Sequence, residues 1–234
     1  MTMAHEAERE VDDAQVRGDE VSLRILRERL YTAVVSDVLD RQGLLEQAMS
    51  ARIRPLEPRM RLVGRAHTVL TADIYQRPAN PYEKEIASVD SLKPGDVMVA
   101  ATNGSERTCL WGELLSTAAR ARGAAGALID GHTRDVARIL EMEFPLFCTG
   151  FRPVDSSSRS IVVDYDCPVL CGGVMVSPGD VIFADIDGVV VIPQDRLEET
   201  VQAALEKVQA ENSSRQMLEE GYLLRDVYDR FGVL

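Results

Sequence analysis

Apolar residues recur at helical spacing through residues 22–42, "SLRILRERLYTAVVSDVLDRQ", and Gly43 follows as a C-cap. The pattern fits two helices, or one helix broken near Tyr31–Thr32. "RLVGRAHTVLTAD" (61–73) reads as a strand, and "NPYEKEIASVDSL" as a short helix opened by a cap and a proline. "KPGD" then turns the chain into a buried strand, "VMVAAT". The helix "WGELLSTAARARG" ends at Gly123, the strand "AGALID" follows, then the helix "TRDVARILEM" and the strand "FPLFC". Residues 97–148 thus alternate strand and helix, which predicts parallel strands joined by crossover helices.

Beyond residue 159 the texture changes. "SIVVDYDCPVLCGGVMVSPGDVIFADIDGVVVIP" is dense in valine and isoleucine, with turns at Pro178-Gly179-Asp180 and Asp187-Gly188. It predicts antiparallel strands with tight turns. Leu197, Val201, Leu205 and Val208 mark one face of a C-terminal helix. No linker separates the two sections, so they predict one mixed α/β domain over residues 21–195. An acidic leader (1–20) precedes it and a helical extension (196–234) follows.

Charge and composition narrow the function. Formal net charge is −12 over 234 residues, and an acidic chain repels phosphate backbones, which argues against nucleic acid as a partner. No apolar run approaches the roughly 18 residues of a membrane span, and the N-terminus lacks the apolar core of a signal peptide, so a cytoplasmic protein is expected. The cysteines (Cys109, Cys148, Cys167 and Cys171) lack zinc-site spacing and predict reduced, mostly buried thiols. The only lysines, Lys84, Lys93 and Lys207, lie in a charged run, a turn and a helix beside Glu206. None sits in an apolar stretch that would depress its pKa, so a Schiff-base mechanism has no good candidate.

Two helix starts carry candidate chemistry. Gly112-Glu113-Leu114-Leu115 opens one helix and Arg134-Asp135 the next. With parallel strands, both would lie at the carboxyl edge of the sheet, where open α/β sheets place ligands. Free amide groups at a helix N-terminus bind anions. An arginine grips a carboxylate with two prongs, and carboxylates supply the hard oxygens that Mg²⁺ or Mn²⁺ prefers. By spacing alone, Glu113 and Asp135 fit equally well as first-turn acids favoured by the helix dipole. His132 reads as a surface turn residue, Trp111 and Tyr82 as packing residues, and Asp185 and Asp187 as hairpin-turn residues.

"WGELLSTAARARGAAGALIDGHTRDV" resembles the core of the RraA-like family, which contains 4-hydroxy-4-methyl-2-oxoglutarate aldolase, 4-carboxy-4-hydroxy-2-oxoadipate aldolase and the regulator of ribonuclease activity A. The likeness extends through "TAVVSDVLDRQG", "LVGRAHTV", "KPGDVMV" and "PGDVIFADIDGVVVIP". It implies a ββα swivelling domain assembled as trimers or dimers of trimers, and a class II aldolase acting on a 2-oxo acid, with oxaloacetate decarboxylation at the same site. Carried over by position, Gly112, Glu113, Leu114 and Leu115 would hold substrate and Arg134 its pyruvate-like end. Asp135 would ligate Mg²⁺ or Mn²⁺, and Glu113 would hold a water of that metal. One position departs: Arg138 stands where the family motif has an acid. Arg138 either faces the site beside Arg134 or turns to solvent to pair with Glu141 or Glu143. The regulator branch implies the rival reading, a non-catalytic binding protein. A methyltransferase is discounted, because no strand leads into a glycine-rich loop near the N-terminus.

Overall fold

The computed structural model describes residues 18–232, so the acidic leader assigned to residues 1–20 lies outside the described residues up to residue 17. The N-terminal stretch forms two helices, α1 (Asp19–Arg29) and α2 (Thr32–Arg41), with Leu30 and Tyr31 extended between them. The break has a tertiary cause. Thr32 donates its backbone N–H and its hydroxyl to the carboxylate of Asp185, at 2.8 and 2.6 Å. Asp185 is buried and also accepts the Asp187 amide at 3.0 Å. The residue expected merely to shape a hairpin turn therefore also caps a distant helix. Gly43 and Gly123, at φ 83° and 80°, end α2 and the helix over Glu113–Ala121 in left-handed conformations, as their positions predict.

The chain continues as β1 (Arg54–Pro55), β2 (Leu62–Asp73), α3 (Glu83–Asp90), β3 (Asp96–Ala101), β4 (Cys109–Trp111), α4 (Glu113–Ala121) and β5 (Gly126–Asp130). Next come β6 (His132–Thr133), α5 (Val136–Glu141), β7 (Leu146–Cys148), β8 (Gly150–Phe151) and β9 (Ser160–Tyr165). It closes with β10 (Val169–Cys171), β11 (Val174–Val176), β12 (Val181–Asp185), β13 (Gly188–Ile192), α6 (Leu197–Glu219) and α7 (Leu224–Phe231). The main sheet runs β1-β7-β5-β3-β2-β12-β13, with β9 also on β2. β2, β3, β5 and β7 pair in parallel, as the strand–helix alternation predicts. β2 outreaches β3 at both ends. Its start pairs antiparallel with β12 and its end with β9, which joins the valine-rich section to the same mixed sheet.

The alternation of side chains along β3 separates two cores. Val97, Val99 and Ala101 face the hairpin β10–β11 and one face of β12–β13. Met98 and Ala100 face α4 and α5. Such a two-faced strand reads as an unbroken apolar run. A third core lies where α1, α2 and α6 cover the other face of β12 and β13, with Leu197, Val201, Ala204 and Leu205 from α6 against Phe183 and Ile192. Each large apolar side chain buried there contributes about 1.5–3 kcal/mol. The C-terminal helix is thus part of the core rather than an appendage.

A second, three-stranded parallel sheet, β4-β6-β8, has no signal in the sequence, because strands of two or three residues show no period. It follows the ends of β3, β5 and β7 and carries the residues described next.

The capping role of Asp185 is testable. Asp185→Ala leaves two buried donors of Thr32 without an acceptor and should lower the unfolding free energy by about 2 kcal/mol. Urea titration followed by circular dichroism checks this, and an unchanged midpoint would refute the cap.

Candidate active site

The small sheet brings the two predicted helix starts into contact. Cys109 pairs with His132 and Trp111 with Thr133. Arg134 donates its amide to the Trp111 carbonyl at 3.1 Å, and the Thr133 hydroxyl donates to the same oxygen at 2.9 Å. Trp111 is buried, donates its indole N–H to Ser116 at 2.8 Å and stacks on Phe144, so it is the packing residue the sequence predicts. These bonds fix the approach of Gly112, the N-cap of α4, to the Arg134-Asp135 pair. A Cβ at Gly112 would lie 2.6 Å from Asp135 Oδ2 and 3.2 Å from Arg134 Cγ. Only glycine leaves room for both side chains.

Asp135 does not lie in the first turn of a helix, as the pattern implied. It is the N-cap of α5, in a left-handed conformation at φ 61°, and the helix starts at Val136. Aspartate is among the few residues that tolerate this backbone. Its Oδ2 accepts the Glu113 amide at 3.2 Å, so Asp135 caps α4 rather than its own helix. Oδ1 takes no protein donor among the described residues. Leu114 and Leu115 follow in the first turn of α4, where the amides have no partner within the helix. The Leu114 side chain is exposed, while Leu115 packs on the core. Glu113 is half-buried, and its Oε1 accepts the Thr117 hydroxyl at 2.9 Å.

Arg134 is held on two sides, with Nε 3.5 Å from Asp135 Oδ2 and Nη1 3.1 Å from Asp155 Oδ1. Asp155 itself accepts the Tyr82 hydroxyl at 2.6 Å and the Ser157 amide at 3.1 Å. Burial pushes the Asp155 carboxyl up, but Tyr82, Ser157 and Arg134 outweigh it and hold its pKa at about 2. Next to this group, Glu85 is buried and accepts the Ser156 hydroxyl at 3.3 Å. Burial, reinforced by the charge of Asp155, raises the Glu85 pKa to about 7 against smaller opposing effects of Ser156 and Arg134. Tyr82, Glu85 and Asp155 were not marked as site residues. They lie on distant segments, and in sequence they look like a packing aromatic, a helix acid and a loop acid.

Thr133, Arg134, Asp135, Val136, Phe151, Arg152 and Pro153 line a cleft of about 280 Å³. Two arginines and a carboxylate with an unused oxygen suit a small carboxylate ligand, with hard oxygens for a cation at one end. A larger cavity of about 590 Å³ lies between α2, α6 and α7, but its walls are mostly apolar. There Tyr31 and Lys207 both donate to Glu211. Burial opposes the charge of Lys207, but Glu211 and Asp37 outweigh it and raise the pKa, so this buried lysine stays protonated and unfit for Schiff-base chemistry. The four cysteines are free thiols and three are buried, as expected.

Two expectations are corrected or settled here. His132 is not a surface turn residue. It sits half-buried in β6, packed against Gly150, because the small sheet covers it. Arg138 turns to solvent and pairs with Glu141 at 3.1 Å, so it adds no second cation beside Arg134.

The mixed α/β domain sets an arginine and an aspartate from one helix start against the glycine of another. The particular family is clear: residues 32–191 match "RraA-like: Aldolase/RraA", and the chain belongs to that family. It is 32% identical over 185 residues to a Halalkalibacterium halodurans protein named "Putative 4-hydroxy-4-methyl-2-oxoglutarate aldolase", covering 79% of this chain and 82% of that one. It is 34% identical over 170 residues to protein DlpA of Legionella pneumophila, covering 73% of this chain but only 27% of DlpA's length. Among solved structures, RraAS2 of Streptomyces coelicolor, described as an unusual member of the RNase ES inhibitor RraA protein family, superposes with a TM-score of 0.76 at 32% identity. That match covers 86% of this chain and 98% of RraAS2. Among the described residues no helix is long and apolar enough to cross a membrane.

The Glu85 environment predicts a pH effect. Its folded pKa of about 7 lies above the ordinary glutamate value of 4.5, so the folded state binds this proton more tightly. The resulting stability is fully present below pH 4.5 and is lost as pH rises to about 7. Glu85→Gln removes that dependence. Relative to wild type, the variant should gain about 3 kcal/mol between pH 4.5 and 8. Urea unfolding at the two pH values measures the difference, and an equal offset at both would refute the assignment.

Proposed function

We propose that this chain is a divalent-metal-dependent carbon–carbon lyase that cleaves a 4-hydroxy-2-oxo acid and releases pyruvate, with oxaloacetate decarboxylation at the same site. The observation that carries the reading is the contact of Gly112 with Arg134 and Asp135, which sets an anion-gripping arginine and a carboxylate with an unused oxygen, both lining one cleft, beside the N-terminus of α4. The aldolase name of the Halalkalibacterium halodurans relative supports it. Among the described residues no three His, Cys, Asp or Glu side chains converge. One or two carboxylates with waters are nonetheless the usual protein share of a Mg²⁺ site, and Asp135 with Glu113 nearby fits that set.

Asp135 would hold Mg²⁺ or Mn²⁺, with Glu113 supporting its hydration. When bound, the cation withdraws electrons from the 2-oxo group and stabilises the negative charge that develops as the carbon–carbon bond breaks. Arg134 binds the 2-oxo acid carboxylate and orients it, and its charge is already in place when the enolate forms. The first-turn amides of Leu114 and Leu115 offer donors to the same anion. Leu114 and Phe151 are exposed apolar side chains, at 76% and 58%, and the oligomer we propose, a trimer or dimer of trimers, would cover them.

A second reading, a non-catalytic ribonuclease regulator, is favoured by the likeness to RraAS2 and by Arg138 at the position of the family acid. Pyruvate release from a panel of 4-hydroxy-2-oxo acids and oxaloacetate, with Mg²⁺ or with EDTA, separates the two. No release from any substrate would leave the regulator reading standing.

Asp135→Ala should cut metal-dependent turnover at least about 100-fold while the fold survives. Full activity in the variant would identify Asp135 as a cap alone. Gly112→Ala should be nearly as damaging to turnover, because the new methyl group displaces the Asp135 carboxylate. Its stability cost should stay near 1 kcal/mol, since the clash is with a side chain that can move. Kinetics paired with thermal melting check both numbers, and unimpaired turnover of Gly112→Ala would refute the packing argument.

A further inference from the structure

Arg134 has an unusual anchor. An exposed ion pair between two flexible side chains ordinarily fixes little. Asp155 is not free in that way. Its Oδ2 is taken by the Tyr82 hydroxyl at 2.6 Å and the Ser157 amide at 3.1 Å, which leaves Oδ1 for Arg134 Nη1 at 3.1 Å. The Asp155 carbonyl is bonded as well, by Arg159 Nη1 at 3.0 Å. Tyr82 immediately precedes α3, so the loop between β9 and the small sheet is tied to a separate helix. On the other edge of the guanidinium, Nε faces Asp135 Oδ2 at 3.5 Å. Two carboxylates thus grip Arg134 on two sides. Both contacts are ion pairs: no guanidinium N–H of Arg134 makes a hydrogen bond to the protein among the described residues, and the side chain lines the cleft.

We propose that Asp155, braced by Tyr82, is the positioning residue for Arg134: its carboxylate holds the guanidinium at the wall of the cleft, where it meets the carboxylate of a 2-oxo acid. The carboxylate half of this statement rests on the lyase reading, whereas the positioning half does not. Asp155 acts through Arg134 and need not touch substrate. Loss of its charge leaves Arg134 restrained only by Asp135, the residue assigned to the cation. Arg134 then retains its charge but not its orientation, so binding of a planar carboxylate weakens without unfolding of the cleft.

Asp155→Asn is the direct test, because the amide keeps the size of the side chain and an acceptor for Tyr82. Tyr82→Phe is the second, since it removes only the brace. The full chain, labelled with ¹⁵N-arginine, gives the readout that a structural role alone would not move: the Arg134 Nε–H resonance, assigned with Arg134→Lys. In wild type that resonance should be sharp and displaced from the bulk arginine signals. In Asp155→Asn it should broaden or return to the bulk position, and in Tyr82→Phe it should move the same way by less. With Mg²⁺ present, calorimetry with oxalate, an analogue of the pyruvate enolate, should show at least about tenfold weaker binding to Asp155→Asn, equivalent to about 1.4 kcal/mol. An unchanged Arg134 resonance in both variants overturns the proposal. Equal or tighter oxalate binding by Asp155→Asn also overturns it, since Asp155 would then compete for Arg134 rather than present it. If wild type binds no oxalate, the lyase reading falls, and the resonance alone decides the positioning role. Should Asp155→Asn fail to fold, the resonance and oxalate affinity of Tyr82→Phe decide it.

Discussion

The cleft depends on one steric constraint: the Gly112 backbone must pass close enough to Arg134 and Asp135 that a Cβ would stand 2.6 Å from a carboxylate oxygen. The Arg134 amide and the Thr133 hydroxyl, both bonded to the Trp111 carbonyl, enforce that approach. Buried Trp111 and Ser116 lock the start of α4 beneath it. Glycine has no side chain to hold the two segments apart, so backbone hydrogen bonds set the separation. Asp135 can then serve the N-terminus of one helix while it precedes another. Its left-handed backbone aims the carboxylate at the Glu113 amide of α4 rather than back at α5.

Charge is distributed around this constraint with some economy. The chain is strongly acidic, yet Arg134 and Arg152 both line the small cleft. Asp135 and Asp155 hold Arg134 from two directions, and burial raises the pKa of Glu85 next to them to about 7. A preorganised cation is what an anionic transition state requires, because no reorganisation is then needed when charge develops. The one buried lysine is fully committed to Asp37 and Glu211 on the far side of the molecule, which fits a mechanism without a Schiff base.

The main sheet could be read from the chain because its strands are buried on both faces and turn signals such as Gly123 separate them from the helices. Apolar runs between turn signals located β2, β3, β5 and β7, and the order of elements implied their parallel pairing. The break between α1 and α2 stayed open in the sequence, because the group that caps α2 comes from Asp185, far along the chain. The small sheet escaped notice because two-residue strands have no period. His132 was misplaced for the same reason.

The amino-acid sequence by itself determined the α/β class, the family, and the pairing of Gly112-Glu113 with Arg134-Asp135, because these rest on local patterns and on a contiguous motif. Only the tertiary structure decided that Asp135 caps α4, that Arg138 leaves the cleft to meet Glu141, and that Tyr82, Glu85 and Asp155 gather behind Arg134. The physical reason is range. Backbone propensity and periodicity act over a few residues, whereas the direction of a charged side chain and the pKa of a buried carboxyl depend on what folding brings beside them.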